Sequence, residues 1–239
     1  MYLMKRLIIA EIGHNHRGNM QIAKNLIRSA KNIGCDIAKF QLYDIDRIKK
    51  PGDTNYDELK KAQLTQEDMF ELHQICLDVD IEFLCSCFDV KRLKWYLETD
   101  PKHHKIASRS IFNARLIDAM LKSDVPIIAS LGAWEGEIFP PFRAQFLFCR
   151  SRRDILRDGL VGFPKKFNGW HGYDGFSDHT IGIEYAIQAL HNGAKIIEKH
   201  YTFDQNWPGW DQPSSATPEE MLKIVQVART LEEQDGSKE

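Results

Sequence analysis

The fold of this chain is decided by two short stretches, Asp174-Gly175-Phe176-Ser177-Asp178-His179 and Ala194-Lys195-Ile196-Ile197-Glu198-Lys199-His200. Each stretch begins with apolar or small residues and ends with polar ones, which is typical of a buried strand that finishes at a site. The residues between them, from Ile181 to Gly193, have the pattern of a helix. A strand, a helix and a strand of these lengths form a βαβ unit, so the two strands are predicted to be parallel and close together.

The ends of these two strands carry chemically useful side chains. Because side chains alternate between the faces of a strand, Ser177 and His179 are expected on one face of the first strand. By the same rule, Glu198 and His200 share one face of the second strand. Two imidazoles with neighbouring oxygen ligands suit a divalent metal. A lone histidine at a strand end is more often structural, so the residues by themselves leave a metal pair and a structural pair as open alternatives.

Composition narrows the classes of partner. The chain has 239 residues, 32 basic and 34 acidic, with a formal net charge of −2. This balance gives no electrostatic case for nucleic acid or a membrane surface as a partner. No apolar run approaches the roughly 20 residues that span a bilayer. Five cysteines, an odd number lying mostly in apolar segments, favour a reducing cytoplasm over a disulfide framework.

The whole chain alternates between strand-like and helix-like segments. Eight strands are predicted, at Leu7–Ile12, Asp36–Gln41, Ile81–Phe88, His104–Ser108, Val125–Ser130, Ala144–Cys149, Asp174–His179 and Ala194–His200. Eight βα units in a chain of this length predict an α/β fold, a (β/α)8 TIM barrel, as a single domain over residues 1–239. A doubly wound open sheet is the alternative, and it is disfavoured because no glycine-rich phosphate-binding fingerprint follows the first strand.

Three connections stand out. The polar segment from Asp44 to Gln63 is long for a loop, which is typical of a functional or mobile segment. The segment from Trp134 to Phe142 contains Pro140-Pro141 and is not expected to form one regular helix. The segment from Gly159 to Gly172 is rich in glycine, lysine and aromatic residues and is expected to be irregular.

In a barrel, the polar residues at the strand ends converge on one mouth. These residues are Glu11, Asn15, His16, Lys39, Gln41, Ser86, Lys105, Ser108, Ser130, Ser177, His179, Glu198 and His200. Lys39 and Lys105 lie in largely apolar segments, and a buried ammonium group needs an anionic partner. That partner is either a strand-end carboxylate or a bound phosphate or carboxylate, for which two lysines and several hydroxyls form a cradle.

Five motifs in this order resemble the sialic acid synthase (N-acetylneuraminate synthase) family. They are Ile9-Ala10-Glu11-Ile12-Gly13-x-Asn15-His16-x-Gly18, Lys39-Phe40-Gln41, Lys105-Ile106-Ala107-Ser108, Ser177-Asp178-His179-Thr180-x-Gly182 and Glu198-Lys199-His200-x-Thr202. A sixth stretch, Pro208-Gly209-Trp210-Asp211, resembles the family's Pro-Gly-Pro-Asp with tryptophan in place of the second proline. The resemblance extends from about Leu7 to Leu231.

The resemblance implies a TIM barrel that condenses phosphoenolpyruvate with the open-chain aldehyde of an N-acyl hexosamine or related sugar. The products are a 2-keto-3-deoxy sugar acid and phosphate, and a divalent metal, Mn²⁺ or Mg²⁺, is implied on His179 and His200. The candidate catalytic residues are Glu198, Gln41, Asp211 and Glu11. The candidate substrate-binding residues are Lys39, Lys105, Ser108, Ser130, Ser177 and Asn15.

The chain also departs from the family pattern. Ser110 stands where a glutamate is usual, the region between strands five and six is shortened, and strand six ends in Phe148-Cys149-Arg150-Ser151-Arg152-Arg153 instead of His-Cys-Thr-x-x-Tyr-Pro. The chain as given also ends without the family's antifreeze-like domain. These departures leave open a changed acceptor, whose phosphate would bind Arg150, Arg152 and Arg153, although the three arginines also suit a solvated helix start.

Two further alternatives follow from the same departures. One is a non-catalytic or partner-dependent sugar-acid-binding barrel, and the other is a metal-dependent aldolase or isomerase that works without phosphoenolpyruvate. The partners expected on the first reading are phosphoenolpyruvate and an amino sugar or other aldose. A homodimer or a separate antifreeze-like protein is a possible macromolecular partner.

Overall fold

Eight parallel strands close into a barrel in the order β1 to β8, and the computed structural model describes residues 5–136, 138–169 and 172–237. The strands are β1 (Leu7–Gly13), β2 (Ile37–Leu42), β3 (Glu82–Cys87), β4 (His104–Ile106), β5 (Ile127–Ser130), β6 (Gln145–Cys149), β7 (Gly175–Asp178) and β8 (Ile196–His200). The predicted (β/α)8 barrel is therefore confirmed. The closing pair is β8 with β1, in which Ile9 lies opposite Glu198 and Glu11 lies opposite His200.

Nine α-helices are found in the described residues. They are α1 (Met20–Asn32), α2 (Ile45–Ile48), α3 (Tyr56–Ala62), α4 (Gln66–Asp78), α5 (Val90–Leu97), α6 (Ala114–Leu121), α7 (Arg152–Asp158), α8 (Glu184–His191) and α9 (Pro218–Gly236). Short 3-10 turns lie at Ser108–Ser110 and Gln212–Ser214. None of these helices, within the part of the chain that is described, is long and apolar enough to cross a membrane.

Local sequence explains where the helices begin. Thr65 accepts a hydrogen bond from the backbone N–H of Asp68, and the Asp68 carboxylate accepts one from the backbone N–H of Thr65. Thr217 and Glu220 form the same reciprocal cap at the start of α9, with Pro218 at the first helical position. Such caps satisfy N–H groups that have no partner inside the helix.

The strands are buried on both faces, as parallel strands in a barrel are. On the outward face, Ile8, Ala10 and Ile197 pack beneath the helices and have no exposed surface. On the inward face, apolar residues such as Ile9 and Ile37 fill the lower part of the barrel, and polar residues follow them two positions later along each strand. The alternation of side chains therefore directs the strand-end polar groups into the barrel mouth.

The connections differ from the sequence predictions in one place. The segment from Asp44 to Gln63 is not an irregular loop, because it contains α2 and α3, and Tyr56 and Ile45 form a small apolar cluster with Tyr43. Between β5 and β6, no helix is present in residues 131–136 and 138–144, which agrees with the shortened region predicted there. Glu137, Trp170 and His171, which fall in the two segments predicted to be irregular, lie outside the described residues.

Candidate active site

A cavity of about 420 Å³ opens at the C-terminal ends of the strands. Every strand or the loop after it contributes to the wall, because the ends of parallel strands meet at one mouth of a barrel. The wall includes the predicted residues Glu11, Lys39, Gln41, Lys105, Ser108, Ser130, Ser177, His179, Glu198, His200 and Asp211. Of the twelve candidate site residues, eleven therefore lie around one space.

Because side chains alternate along a strand, the residues at the ends of β7 and β8 divide into a pair that faces the cavity and a pair that faces the helices. Ser177 lies opposite Glu198, and the Ser177 hydroxyl donates a 2.9 Å hydrogen bond to a Glu198 carboxylate oxygen inside the cavity. The next pair, Asp178 and Lys199, lies on the other face and forms a fully buried ion pair of 3.0 Å. This outward ion pair holds the two strands in register from behind, so the cavity residues keep their relative positions.

Glu198 joins the two buried lysines. Its Oε2 lies 3.7 Å from Lys39 Nζ and 3.7 Å from Lys105 Nζ, and Lys39 also contacts Glu11 at 2.6 Å. Burial alone would raise the pKa of Glu198, but Lys105 and Lys39 outweigh burial and lower the pKa to about 2. Two carboxylates therefore balance two ammonium groups within the cavity.

The two lysines are in different electrostatic environments. Burial favours the neutral amine at both, but Glu11 and Glu198 outweigh burial at Lys39 and raise its pKa. At Lys105, burial dominates and the nearby positive charge of Lys39 adds to it, so the pKa is lowered despite Glu198. Lys105 therefore gains most from a further anion in the cavity.

Hydroxyl groups complete the wall next to the lysines. The Lys105 ammonium donates a 2.7 Å hydrogen bond to Ser130 Oγ. Ser108 Oγ projects beside Gly132, where an added Cβ would lie 2.8 Å from that oxygen. The glycine therefore leaves the Ser108 hydroxyl room in the cavity. Ser86 Oγ is also buried in the wall and has no hydrogen-bond partner in the described residues.

Glu11 and Gln41 form a second polar contact across β1 and β2. The Gln41 amide donates a 2.6 Å hydrogen bond to Glu11 Oε1. The register of the two strands shifts between Glu11 and Gly13, and Gly13 has a φ of +52°, in the left-handed region that favours glycine. This irregularity turns the chain sharply after Glu11 and brings the following loop over the mouth.

The predicted histidine pair is close together in the structure. The ring centroids of His179 and His200 are 5.2 Å apart with an interplanar angle of 73°. His179 Nδ1 donates to the Ser177 carbonyl oxygen at 3.3 Å, which leaves Nε2 as the nitrogen with a free lone pair. Burial, followed by the proximity of His200, lowers the pKa of His179, so the ring is neutral at physiological pH.

The histidine pair suits a divalent metal in part. A neutral imidazole whose other N–H donates to a backbone carbonyl is the usual form of a histidine ligand. The His200 Nδ1 atom is buried without a hydrogen-bond partner, and its Nε2 lies 3.5 Å from Asp211 Oδ2. Within the described residues, no three or more histidine, cysteine, aspartate or glutamate side chains are arranged as a ready metal cage. A metal here would therefore take its remaining ligands from water or substrate.

A carboxylate–histidine cluster joins Asp211 to His14 and Glu58, two residues that were not identified as site residues from the sequence. His14 Nε2 lies 3.2 Å from Glu58 Oε1 and 3.4 Å from Asp211 Oδ2. Burial favours a neutral His14, but Asp211, Glu58 and Glu11 outweigh it and raise the pKa of His14. The three residues are far apart in the chain, and the only sequence signal was the long polar segment that contains Glu58.

Some predicted residues have other positions. Asn15 does not line the cavity, since its amide donates hydrogen bonds to the Tyr201 carbonyl at 3.0 Å and to Ser215 Oγ at 2.8 Å. It holds the loop after β1 against the loop after β8, so its placement lends no support to the predicted contact with substrate. Cys85 and Cys87 are buried, and burial raises the pKa of both thiols, which agrees with a packing role.

The three arginines after β6 are separated by the fold. Arg150 pairs with Asp158 at 3.4 Å, and Arg152 donates to the Trp210 carbonyl oxygen and lies over the Trp210 ring. Arg153 lines the cavity. The three side chains therefore do not form the joint phosphate site that the sequence had left open.

The fold and the cavity together define a class of protein. It is a TIM-barrel protein whose strand ends hold a balanced lysine–carboxylate network, several hydroxyls and a histidine pair around one small polar cavity. The chain belongs to the NeuB family, whose model matches residues 26–138 and 163–239. The family resemblance seen in the motifs is thereby confirmed.

Individual relatives are sugar-acid synthases. The chain is 30% identical to the N,N'-diacetyllegionaminic acid synthase of Legionella pneumophila, over 99% of this chain and 75% of the relative. It is 28% identical to the human N-acetylneuraminate-9-phosphate synthase, over 96% of this chain and 71% of the relative. Among solved structures, the sialic acid synthetase of Leptospira borgpetersenii, in complex with citrate, superposes with a TM-score of 0.81 at 28% identity, covering 97% of this chain and 85% of that one.

Proposed function

We propose that this protein condenses phosphoenolpyruvate with the open-chain aldehyde of an N-acyl hexosamine or related sugar. The products are a 2-keto-3-deoxy sugar acid and inorganic phosphate. The observation that carries the proposal is the convergence of Lys39, Lys105 and three serines on one cavity that also contains the histidine pair. The names of the relatives given above support the same class of reaction. The choice of an N-acyl hexosamine or related sugar as the acceptor is part of this proposal.

The lysine side of the cavity is suited to phosphoenolpyruvate. Ser108, Ser130 and Ser177 offer hydroxyls next to Lys39 and Lys105, and the five residues come from four different strands or the turns after them. Charged hydrogen bonds of this kind are stronger than neutral ones and fix the orientation of an anion. A substrate held from several strands has little freedom, which lowers the entropic part of the barrier.

The bond changes balance without an external redox partner. Carbon 3 of phosphoenolpyruvate attacks the aldehyde carbon, and positive charge develops at carbon 2. Water adds at carbon 2 and loses one proton, and the former aldehyde oxygen takes up one proton to become a hydroxyl. The second proton of that water leaves with the phosphate as the keto group forms. Glu198 is ionised because of its two lysines, so it suits stabilising the positive carbon. Its low pKa makes it a weak base, so the proton it accepts is that of the strongly acidic water that has added at carbon 2.

We assign the acceptor to the part of the mouth formed by the ends of β1 and β2 and the loop after β8, where Glu11 also contacts Lys39 at 2.6 Å. Glu11 lies on β1, Gln41 lies on β2, and Asp211 lies on the loop after β8. Carboxylate and amide groups of this kind form hydrogen bonds with sugar hydroxyls. We assign His179 and His200 as the residues that would hold Mn²⁺ or Mg²⁺, which when bound would polarise the aldehyde oxygen.

The proposed location is the cytoplasm. All five cysteines are free thiols buried in the barrel. Unpaired buried thiols suit a reducing compartment. Homodimer formation and a partner carrying an antifreeze-like domain both stay predictions from the sequence.

The proposal is tested by incubating the purified protein with MnCl₂, phosphoenolpyruvate and a panel of N-acyl hexosamines, their 6-phosphates and simple aldoses. We expect release of inorganic phosphate that depends on the acceptor, together with a product whose mass equals acceptor plus pyruvate. The variant Glu198→Gln is the matched control and should release little phosphate. Absence of phosphate release with every acceptor would overturn the proposal, and aldol chemistry with pyruvate instead would favour the aldolase alternative.

A further inference from the structure

Two arginines at the cavity have no ion-pair or hydrogen-bond partner in the described part of the chain. Arg109 lies in the 3-10 turn after β4, and Arg153 lies in α7 after β6. Both side chains line the cavity. Unlike Arg150, which pairs with Asp158, neither forms an ion pair or a hydrogen bond with another described residue. The Arg109 guanidinium lies 5.5 Å from the centre of the Phe88 ring, which leaves its donor groups free. These two groups are therefore available to a ligand.

The carboxylates nearest the two arginines already have other partners. Asp154, the acidic residue beside Arg153 in the wall, pairs with Arg157 at 3.4 Å and accepts a hydrogen bond from Ser151. Asp211 lies next to His14 and His200. Protein carboxylates therefore do not account for the positive charge of Arg109 and Arg153.

The charge of the substrate requires more than the two lysines. Lys39 and Lys105 are balanced by Glu11 and Glu198 before any ligand binds. A phosphate monoester carries about −1.5 to −2 charges near pH 7, and the carboxylate of phosphoenolpyruvate adds one more. Burying this anion beside a neutral network is costly unless further cations face it. Two guanidinium groups supply that charge and bind phosphate through paired N–H groups.

Their position favours the phosphate of phosphoenolpyruvate over the acceptor. β4 and β6 flank β5, which carries Ser130, whereas His179 directly follows β7 and His200 ends β8. Ser108 stands directly before Arg109 and has room beside Gly132, where a Cβ would meet Ser108 Oγ at 2.8 Å and the Cys149 carbonyl oxygen at 3.0 Å. The wall formed after β4, β5 and β6 is therefore a basic, hydroxyl-lined pocket that contains neither histidine and meets the histidine pair only at its β6 end, where Cys149 Sγ lies 3.8 Å from His179 Nδ1.

We infer that Arg109 and Arg153, together with Ser108, bind the phosphate group of phosphoenolpyruvate. The inference rests on the proposed function and adds to it two residues that stand outside the motifs shared with the family. Lys39 and Lys105 then hold the rest of the substrate deeper in the barrel. The two arginines are substrate-binding residues, and their effect belongs to the binding of phosphoenolpyruvate and not to the acceptor.

The test is isothermal titration calorimetry of the whole chain with phosphoenolpyruvate in the absence of acceptor, with pyruvate as the probe that lacks the phosphate. We expect Arg109→Ala and Arg153→Ala each to weaken phosphoenolpyruvate binding about 10-fold and the double variant about 100-fold, with pyruvate binding unchanged. Arg150→Ala is the matched control, because Arg150 pairs with Asp158 outside the cavity wall, and it should behave as the wild type. Thermal melts monitored by circular dichroism check that each variant is folded.

Steady-state kinetics separate the remaining outcomes. An increase in KM for phosphoenolpyruvate with unchanged KM for the acceptor supports the inference. Wild-type affinity for phosphoenolpyruvate in the folded double variant overturns it and leaves the proposed function intact. An increase confined to KM for phosphorylated acceptors also overturns it and assigns the arginines to the acceptor. A wild-type protein that binds no phosphoenolpyruvate would contradict the proposed function itself.

Discussion

Glu198 contacts both buried lysines of the cavity and accepts a hydrogen bond from Ser177. These contacts keep its carboxylate ionised in a place where burial alone would favour the protonated acid. An ionised carboxylate between two ammonium groups is a fixed negative charge that does not have to reorganise during a reaction. At the residue scale, this arrangement explains why one glutamate can both position the lysines and stabilise positive charge on a substrate.

The first prediction concerns Lys105. Lys105→Ala should lower kcat/KM for phosphoenolpyruvate at least about 100-fold, because it removes one charged donor and leaves Glu198 with only Lys39 nearby. Phosphate-release kinetics measure the effect. Lys122→Ala, at an exposed lysine after α6, is the control and should retain wild-type activity. Wild-type kinetics in a folded Lys105→Ala protein would contradict the role given to this lysine.

At the scale of elements, the cavity mouth is built from three connections that meet through His14. The loop after β1 carries His14, α3 carries Glu58, and the loop after β8 carries Asp211. The backbone N–H of Trp210 also donates to Glu58 Oε1 at 3.1 Å. Helix α3 therefore supports the loop that places Asp211 next to His200.

The second prediction is a double-mutant cycle on His14 and Glu58. His14→Gln leaves the partly buried Glu58 carboxylate facing the buried Asp211 carboxylate, so it should lower the free energy of unfolding more than the same change does when Glu58 is already glutamine. The expected coupling is about 1–2 kcal/mol, as for contacting residues in one network. Urea unfolding of the wild type, both single variants and the double variant measures it. Simple additivity of the two changes would show that His14 does not connect α3 to the site.

The third prediction concerns the loop after β8 and its effect on the acceptor. The variant Glu58→Gln keeps the size of the side chain but weakens its attraction for His14 and the Trp210 N–H. We expect KM for the acceptor to rise roughly 3- to 10-fold, which corresponds to about 1 kcal/mol of lost positioning, with KM for phosphoenolpyruvate unchanged. Glu67→Gln, in the exposed first turn of α4, serves as the control. An equal rise in both KM values would argue against a specific effect on the acceptor side.

At the scale of the whole molecule, buried histidines make the barrel sensitive to acid. His104 has no exposed surface, its Nε2 lies 2.6 Å from Ser123 Oγ, and burial lowers its pKa to about 4. The same residue has a pKa of about 6.5 in the unfolded chain. Between these values the unfolded chain binds a proton that the folded barrel does not, so acid favours unfolding in this interval.

The fourth prediction follows from the lowered pKa of His104 in the folded barrel. Above about pH 6.5, His104 does not change the free energy of unfolding. As the pH falls from 6.5 to 4, His104 lowers the free energy of unfolding, and below pH 4 the total loss levels off at about 3 kcal/mol. His104→Gln should therefore flatten the pH dependence of the free energy of unfolding between pH 6.5 and 4. Urea titrations across this range measure it, and His191→Gln, at an exposed histidine, is the control. Parallel pH profiles for the wild type and His104→Gln would refute the assignment.

Most of the barrel, and part of the candidate site, could be predicted from single segments of the sequence. The strands could be predicted because a parallel strand is an apolar run with a clear beginning and end, and Thr217-Pro218 marked the last helix by its capping chemistry. His179 and His200 were predicted as neighbours because consecutive strands of a βαβ unit are adjacent. The segment from Asp44 to Gln63 was misread, because α2 and α3 are short and depend on packing against Tyr43 for their stability.

The sequence by itself determined the eight-stranded barrel, the inward direction of Lys39, Glu198 and His200, and the family, because alternation and strand order are local properties of a chain. Only the tertiary structure decided which charges meet. His14 contacts Glu58 and Asp211, which lie 44 and 197 positions further along the chain, and no local pattern encodes contacts over such separations. The same holds for Arg109 and Arg153, whose lack of partners became visible only when every neighbouring carboxylate had been placed.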